Sequence, residues 1–123
     1  MKKLFFPLFA VATFLSSAQA TNPTNLTDSI SLVRLYDATN GAEWNTPWDL
    51  ADQVSSWYGV SLDSKGNVIA LDLRANNLEG EIPKLGLKSA TSINFSNNEI
   101  IGTMPAFNAC VNLEYLNLSK NGL

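Results

Sequence analysis

Glu79 and Glu81 are the carboxylates closest together in the chain, and a carboxylate pair is the minimum equipment for glycoside hydrolysis. They flank Gly80 within Leu78-Glu-Gly-Glu-Ile82-Pro83, where glycine and proline suit an exposed bend. An exposed pair gains neither the raised pKa nor the enclosed pocket that acid catalysis needs, so it reads as surface charge. Cys110 is the single cysteine, and the chain has no histidine. That removes Ser-His-Asp and Cys-His nucleophiles and every histidine-based zinc site. No neighbouring base is visible to lower the Cys110 pKa, so it is expected to behave as a small buried hydrophobe. No catalytic residue, metal ligand or cofactor is expected. The chain reads as a non-enzyme.

Chemistry of recognition remains. Trp44, Trp48 and Trp57 could form an aromatic platform for a sugar, but tryptophans bury so much area that a core role is the stronger expectation. Asn25-Leu-Thr27, Asn94-Phe-Ser96 and Asn117-Leu-Ser119 match the glycosylation triplet, the last two as by-products of a repeat. The net charge is −3, and an acidic chain has no electrostatic footing on phosphate backbones or anionic membranes. Nucleic acid is therefore not an expected partner.

The element that must position these residues recurs three times. Val68-Ile-Ala-Leu71-Asp-Leu73-Arg-Ala-Asn76-Asn-Leu78 aligns without a gap on Ala90-Thr-Ser-Ile93-Asn-Phe95-Ser-Asn-Asn98-Glu-Ile100. Both align on Leu113-Glu-Tyr-Leu116-Asn-Leu118-Ser-Lys-Asn121-Gly-Leu123. Each is L-x-x-L-x-L-x-x-N-x-L at the spacing of leucine-rich repeats. Alternation along a short strand sends Leu71 and Leu73 inward. Asn76, Asn98 and Asn121 sit where the chain leaves the strand, and their amides can satisfy buried backbone groups as a stacked ladder.

The same alternation defines an outward face. Its first column is Ala70, Ser92 and Tyr115, its second Asp72, Asn94 and Asn117, and its third Arg74, Ser96 and Ser119; Lys120 extends the last strand. These are the expected ligand-binding positions, because repeat arrays present extended concave surfaces.

Leu78-Glu-Gly80-Glu-Ile82-Pro83 and Ile100-Ile-Gly102-Thr-Met104-Pro105 share an L-x-G-x-I-P extension that resembles plant-type leucine-rich repeats, a class also found in bacterial secreted proteins. Ahead of the repeats, Leu32-Val33-Arg34-Leu35-Tyr36 through Asn40-Gly41, Trp44, Trp48 and Trp57-Tyr58-Gly59-Val60 resembles the N-terminal cap of that class. The caps of plant receptor-kinase ectodomains and polygalacturonase-inhibiting proteins are similar. Such caps carry two cysteines, where this chain has Gln53-Val54-Ser55-Ser56 and Leu62. The resemblance therefore implies that packing replaces a disulfide worth about 2–5 kcal/mol.

Within the cap, Thr27-Asp28-Ser29 offers N-cap side chains and Ile30, Leu32, Val33, Leu35 and Tyr36 follow at helical spacing, predicting a helix near 28–39 that Asn40-Gly41 stops. A Trp-rich loop, a strand and an Asp63-to-Asn67 turn should follow. At the start, Met1-Lys2-Lys3, the apolar run Leu4–Leu15 and Ala18-Gln19-Ala20 fit a secretory signal peptide, too short to span a bilayer.

The expected organisation is a signal peptide at 1–20, a cap at 21–67 and repeats at 68–123, two complete and the third truncated, as in a fragment of a longer protein. The expected fold class is α/β: a leucine-rich-repeat solenoid with short parallel strands on its concave face, an irregular or 3₁₀ back side and an α-helical N-terminal cap. The expected function is an exported recognition module, periplasmic, extracellular or on the cell surface, with no membrane insertion after cleavage. Its concave sheet would bind a protein or peptide. The alternatives are a carbohydrate-binding or adhesion module, with polysaccharide as partner, and the non-catalytic N-terminal part of a larger receptor or enzyme.

Overall fold

The computed structural model describes residues 24–103 and 107–123. The expected signal peptide and Met104-Pro105 of the second extension lie outside the described residues. Helix α1 spans Leu26–Ala38. It starts two residues ahead of the predicted span because Asn25, rather than Thr27, Asp28 or Ser29, provides the N-cap: its side-chain oxygen accepts from the Asp28 N–H at 3.2 Å. Asp28 is thereby released to turn inward, where its carboxylate accepts the Val68 N–H at 2.8 Å and ties α1 to the first repeat. Leu32 and Leu35 are the fully buried apolar side chains of α1. The helix stops where Asn40 adopts a left-handed backbone at φ 58°. At Gly41 a β-carbon would lie 2.3 Å from the Tyr36 ring, so glycine is required there on space alone.

Two 3₁₀ turns, Gly41–Glu43 and Val54–Ser56, fold the tryptophan loop back on α1. Tyr36 meets Trp44 edge-on, Trp44 meets Trp48 edge-on, and Trp48 stacks on Trp57 with ring centres 4.7 Å apart. Each indole N–H donates to a backbone carbonyl: Trp44 to Thr39, Trp48 to Tyr58, Trp57 to Asp49. Val54 and Leu62 pack against the hydrophobic core to which these tryptophans belong.

β1 (Val60–Leu62) runs antiparallel to β2 (Val68–Asp72), which pairs in parallel with β4 (Ser92–Asn94) and through it with β6 (Tyr115–Asn117). Leu71 lies beside Ile93 and Ile93 beside Leu116, the spacing of the repeat. A second, two-stranded parallel sheet pairs β3 (Glu79–Gly80) with β5 (Glu99–Ile100). Leu71, Leu73, Leu78, Ile93, Phe95 and Ile100 fill the space between the two sheets' segments and are buried. The stretch from Glu81 to Leu87 has no helix or strand and leads into a turn at Lys88, with Ile82, Leu85 and Leu87 buried. Of the two back-side forms expected for the repeats, the irregular one is present there. No helix among the described residues is long and apolar enough to cross a membrane.

Candidate recognition face

The open face of the four-stranded sheet is built column by column from the register of β2, β4 and β6. Ala70, Ser92 and Tyr115 lie side by side in the first column. Ala70 and Ser92 are half-buried, and Tyr115 stands 50% exposed beside them. An aromatic ring next to two small residues makes a step on an otherwise low surface. The Tyr115 hydroxyl accepts from the Asn117 amide at 3.2 Å, which fixes the ring's outer end.

The second and third columns are locked to each other. Asn94 Oδ1 accepts from both the Ser96 N–H at 3.0 Å and the Ser96 hydroxyl at 2.7 Å. Asn117 and Ser119 repeat this bond for bond, at 3.0 and 2.7 Å. In the first repeat Asp72 Oδ1 accepts the Arg74 N–H, and the Arg74 guanidinium lies 3.6 Å from Asp72 Oδ2. A side-chain oxygen bonding two residues ahead is how Asn and Asp hold a turn. The lock ends each strand at the same point.

The positions differ in availability. Asp72, Arg74, Tyr115, Ser119 and Lys120 are exposed, and Ser92 and Asn117 are half-buried. Asn94 and Ser96 are 9% and 4% exposed, so their side chains serve the turn rather than solvent. Period-two alternation gives the direction of a side chain but not its cover; Asn94 and Ser96 sit in the middle of the three repeats, with a neighbour on each side.

Beneath the face, Asn98 Oδ1 accepts the N–H groups of Asn76 and Leu78, while its Nδ2 donates to Leu73, Phe95 and Ser96 carbonyls. Asn121 makes the matching bonds to Ile100, Phe95, Leu118 and Ser119. Asn76 differs. Its Oδ1 accepts from Thr46 N–H, and its buried Nδ2 has no hydrogen-bond partner. The segment before it is not a preceding repeat, so no carbonyl stands where Leu73 stands for Asn98.

One backbone feature does not follow from the repeat pattern. Ala75, Asn97 and Lys120, one residue before each stacked asparagine, all have left-handed φ between 52° and 59°. Asparagine favours that region, which was the only available signal. Ala75 and Asn97, with Asn45, Asn77, Asn98 and Glu99, line a polar groove of about 250 Å³.

The remaining candidates are occupied structurally. Trp44, Trp48 and Trp57 are 4%, 4% and 6% exposed, leaving no ring face for a sugar. Glu79 and Glu81 are exposed, with Glu79 accepting weakly from the Asn40 amide and Glu81 lying against Gly102. Burial raises the Cys110 pKa, and its thiol donates to the Leu85 carbonyl at 3.5 Å. A protonated, buried thiol is a poor nucleophile. Asn25 of the first glycosylation triplet donates its amide to Asn67.

No protein-family model and no curated protein matches the sequence. Solved structures do. The leucine-rich-repeat ectodomain of the receptor kinase SOBIR1 from Arabidopsis thaliana superimposes with a TM-score of 0.64 at 20% identity, over 81% of this chain. This is a leucine-rich-repeat fold. A leucine-rich-repeat protein from Bacteroides eggerthii matches 85% of the chain at a TM-score of 0.52 and 20% identity. A plant ice-binding protein matches 81% at 0.53 and 22% identity. The repeat chain spans 56%, 16% and 42% of those three chains, respectively. At such identities the likeness is one of fold alone.

Proposed function

We propose that this leucine-rich-repeat chain is an exported, non-catalytic recognition module, in which residues through Asn67 cap a solenoid and the open, concave sheet face binds a protein or peptide. The observation that carries the reading is Tyr115, half-exposed and held by Asn117 beside the low Ala70–Ser92 shelf. Around it the polar side chains are already committed to one geometry by the Asx locks, so little conformational freedom is lost on binding. Exposed Asp72, Arg74 and Lys120 supply charge of both signs at the rim. Export is supported by the Lys2-Lys3, Leu4–Leu15 and Ala18-Gln19-Ala20 pattern, with cleavage after Ala20.

Selection from a displayed random-peptide library is the test. The reading expects enriched peptides whose affinity drops about tenfold or more on Tyr115→Ala, as hot-spot aromatics do. Enriched peptides that bind Tyr115→Ala and Arg74→Ala as tightly as the parent would place recognition elsewhere. An equally strong selection on polysaccharides, with none on peptides, would restore the carbohydrate alternative.

A further inference from the structure

Away from the sheet, α1 and the stretch after Pro83 border an open groove of about 380 Å³, lined by Thr27, Ile30, Ser31, Arg34, Lys84 and Gly86. The sequence builds it from two periodicities. Thr27, Ser31 and Arg34 fall at i, i+4 and i+7 and so share one stripe of α1. Across from them Leu85 and Leu87 turn into the core, which leaves Lys84 and Gly86 facing outward. The Gly86 N–H donates to Ser31 Oγ at 2.9 Å and clamps the two walls together. A second groove of about 350 Å³ shares Ile30 and Arg34 and adds Ser29 and Val33.

The polar lining is one-sided. Arg34 and Lys84 are exposed, and among the described residues neither takes part in an ion pair, whereas Arg74 pairs with Asp72. Ser31 Oγ accepts from Gly86, which leaves its own O–H to donate. Donors thus converge with no carboxylate in the lining. This stands out in a molecule whose described residues carry eleven acidic and six basic side chains. Of the acids on α1, Asp28 is buried on Val68, and exposed Asp37, at i+3 from Arg34, neither lines the groove nor pairs with Arg34. Beside the cations, Ile30 is 43% exposed and Val33 is half-buried, an aliphatic shoulder of the kind that a free inorganic anion would leave wet.

We infer that this groove is a second binding site, for an acidic peptide segment of a partner protein, with a Glu or Asp carboxylate between Arg34 and Lys84 and an aliphatic neighbour on Ile30 and Val33. Charge complementarity selects the carboxylate, because most of the surface repels it. The apolar shoulder selects a peptide over phosphate. None of the lining residues belongs to the sheet, so the site is independent of recognition through Tyr115.

Binding of a fluorescein-labelled Leu-Glu-Leu-Glu-Leu peptide, compared with its Leu-Gln-Leu-Gln-Leu counterpart, tests the site. The glutamate peptide should bind about tenfold tighter or better, as expected for charge-assisted contacts. Arg34→Gln combined with Lys84→Gln should abolish that preference without moving the thermal melt, since both side chains are exposed. Tyr115→Ala should leave it intact, which separates this site from the sheet face. Equal affinity for the two peptides, or an undiminished preference in the double variant, would overturn the inference. So would displacement of the peptide by inorganic phosphate at matching concentrations.

Discussion

At the scale of the residue, Asn98 and Asn97 are neighbours with opposite duties. Asn98→Ala removes one acceptor serving two buried N–H groups and one donor serving three carbonyls. Each orphaned buried group costs about 1–3 kcal/mol, so this variant should be severely destabilised in a denaturant melt. Asn97 is exposed, yet Asn97→Ala is not neutral, because its backbone sits at φ 59°. An alanine there should cost about 1 kcal/mol, the usual left-handed penalty, and Asn97→Gly should recover it. Equal losses for Asn98→Ala and Asn97→Ala would mean that the side-chain ladder contributes nothing.

Titration supplies a second test at this scale. Burial raises the Asp28 pKa above its ordinary 3.8, and the nearby Asp63 charge adds to the rise, while the Val68 N–H partly offsets it. The folded protein therefore holds the Asp28 proton more tightly than the unfolded chain. As pH falls through the raised value towards 3.8, this group adds stability; above that window its charge is a cost. Asp63 works in the opposite sense. Its pKa is lowered by the Asn67 N–H first, so it stabilises above the ordinary carboxylate value and loses that effect in stronger acid. Asp28→Asn keeps an acceptor for Val68 and should remove the gain on acidification. Melting temperatures of parent and variant between neutral pH and about pH 4 should converge as the pH falls. Parallel curves would show that Asp28 titrates alike in the folded and unfolded chain.

At the scale of the element, β1 is held to β2 by a close approach that only glycine permits. Gly59 has φ 81°, its carbonyl accepts the Asp72 N–H at 2.8 Å, and an added β-carbon would lie 2.2 Å from the Asp72 carbonyl oxygen. Gly59→Ala should unpair this end of the sheet and cost about 1–3 kcal/mol or more. A thermal melt, with amide exchange at Asp72, would register both effects. The aromatic stack is the other joint: Trp48→Ala should cost about 3–5 kcal/mol as a core cavity.

The strands, their spacing and their apolar direction were legible in the sequence, because three aligned repeats constrain one another. The departure of Asn76, which accepts from Thr46 and leaves its Nδ2 unpartnered, was not legible, because it depends on the non-repeat segment beside it. The helix start was not, since Asn25, Thr27, Asp28 and Ser29 all make plausible N-caps and only the Asp28–Val68 contact decides among them. The cover over Asn94 and Ser96 was also hidden, because it depends on flanking strands rather than on alternation. The groove at Ser31 and Lys84 joins residues more than fifty positions apart, and no local pattern carries such a contact.

At the scale of the whole molecule, the two ends of the four-stranded sheet are unlike. One end is β1, antiparallel, with Val60 and Leu62 packed against the core; at the other, β6 has a neighbouring strand on one side among the described residues. Leu116 and Leu123 are 39% and 43% exposed there, where the matching Ile93 and Ile100 are fully buried. Such an edge beside apolar side chains invites pairing with another chain. Residues 24–123 should therefore self-associate with rising concentration, and a charged side chain in place of exposed Leu116 should suppress it. Sedimentation across a concentration series checks this, and a monomer throughout would show that β6 closes the sheet unaided.

Recognition through the sheet face is the central claim, and nuclear magnetic resonance mapping tests it most directly. A library-selected peptide without Glu or Asp, which the α1 groove would not favour, should be titrated into isotope-labelled protein and the amide shifts followed. The account predicts the largest changes at Ala70, Ser92, Arg74 and Tyr115, with the α1 groove around Ser31 and the tryptophan loop unmoved. Shifts that cluster on α1, the tryptophan loop or the stretch from Glu81 to Lys88, with Ser92 and Tyr115 silent, would contradict it.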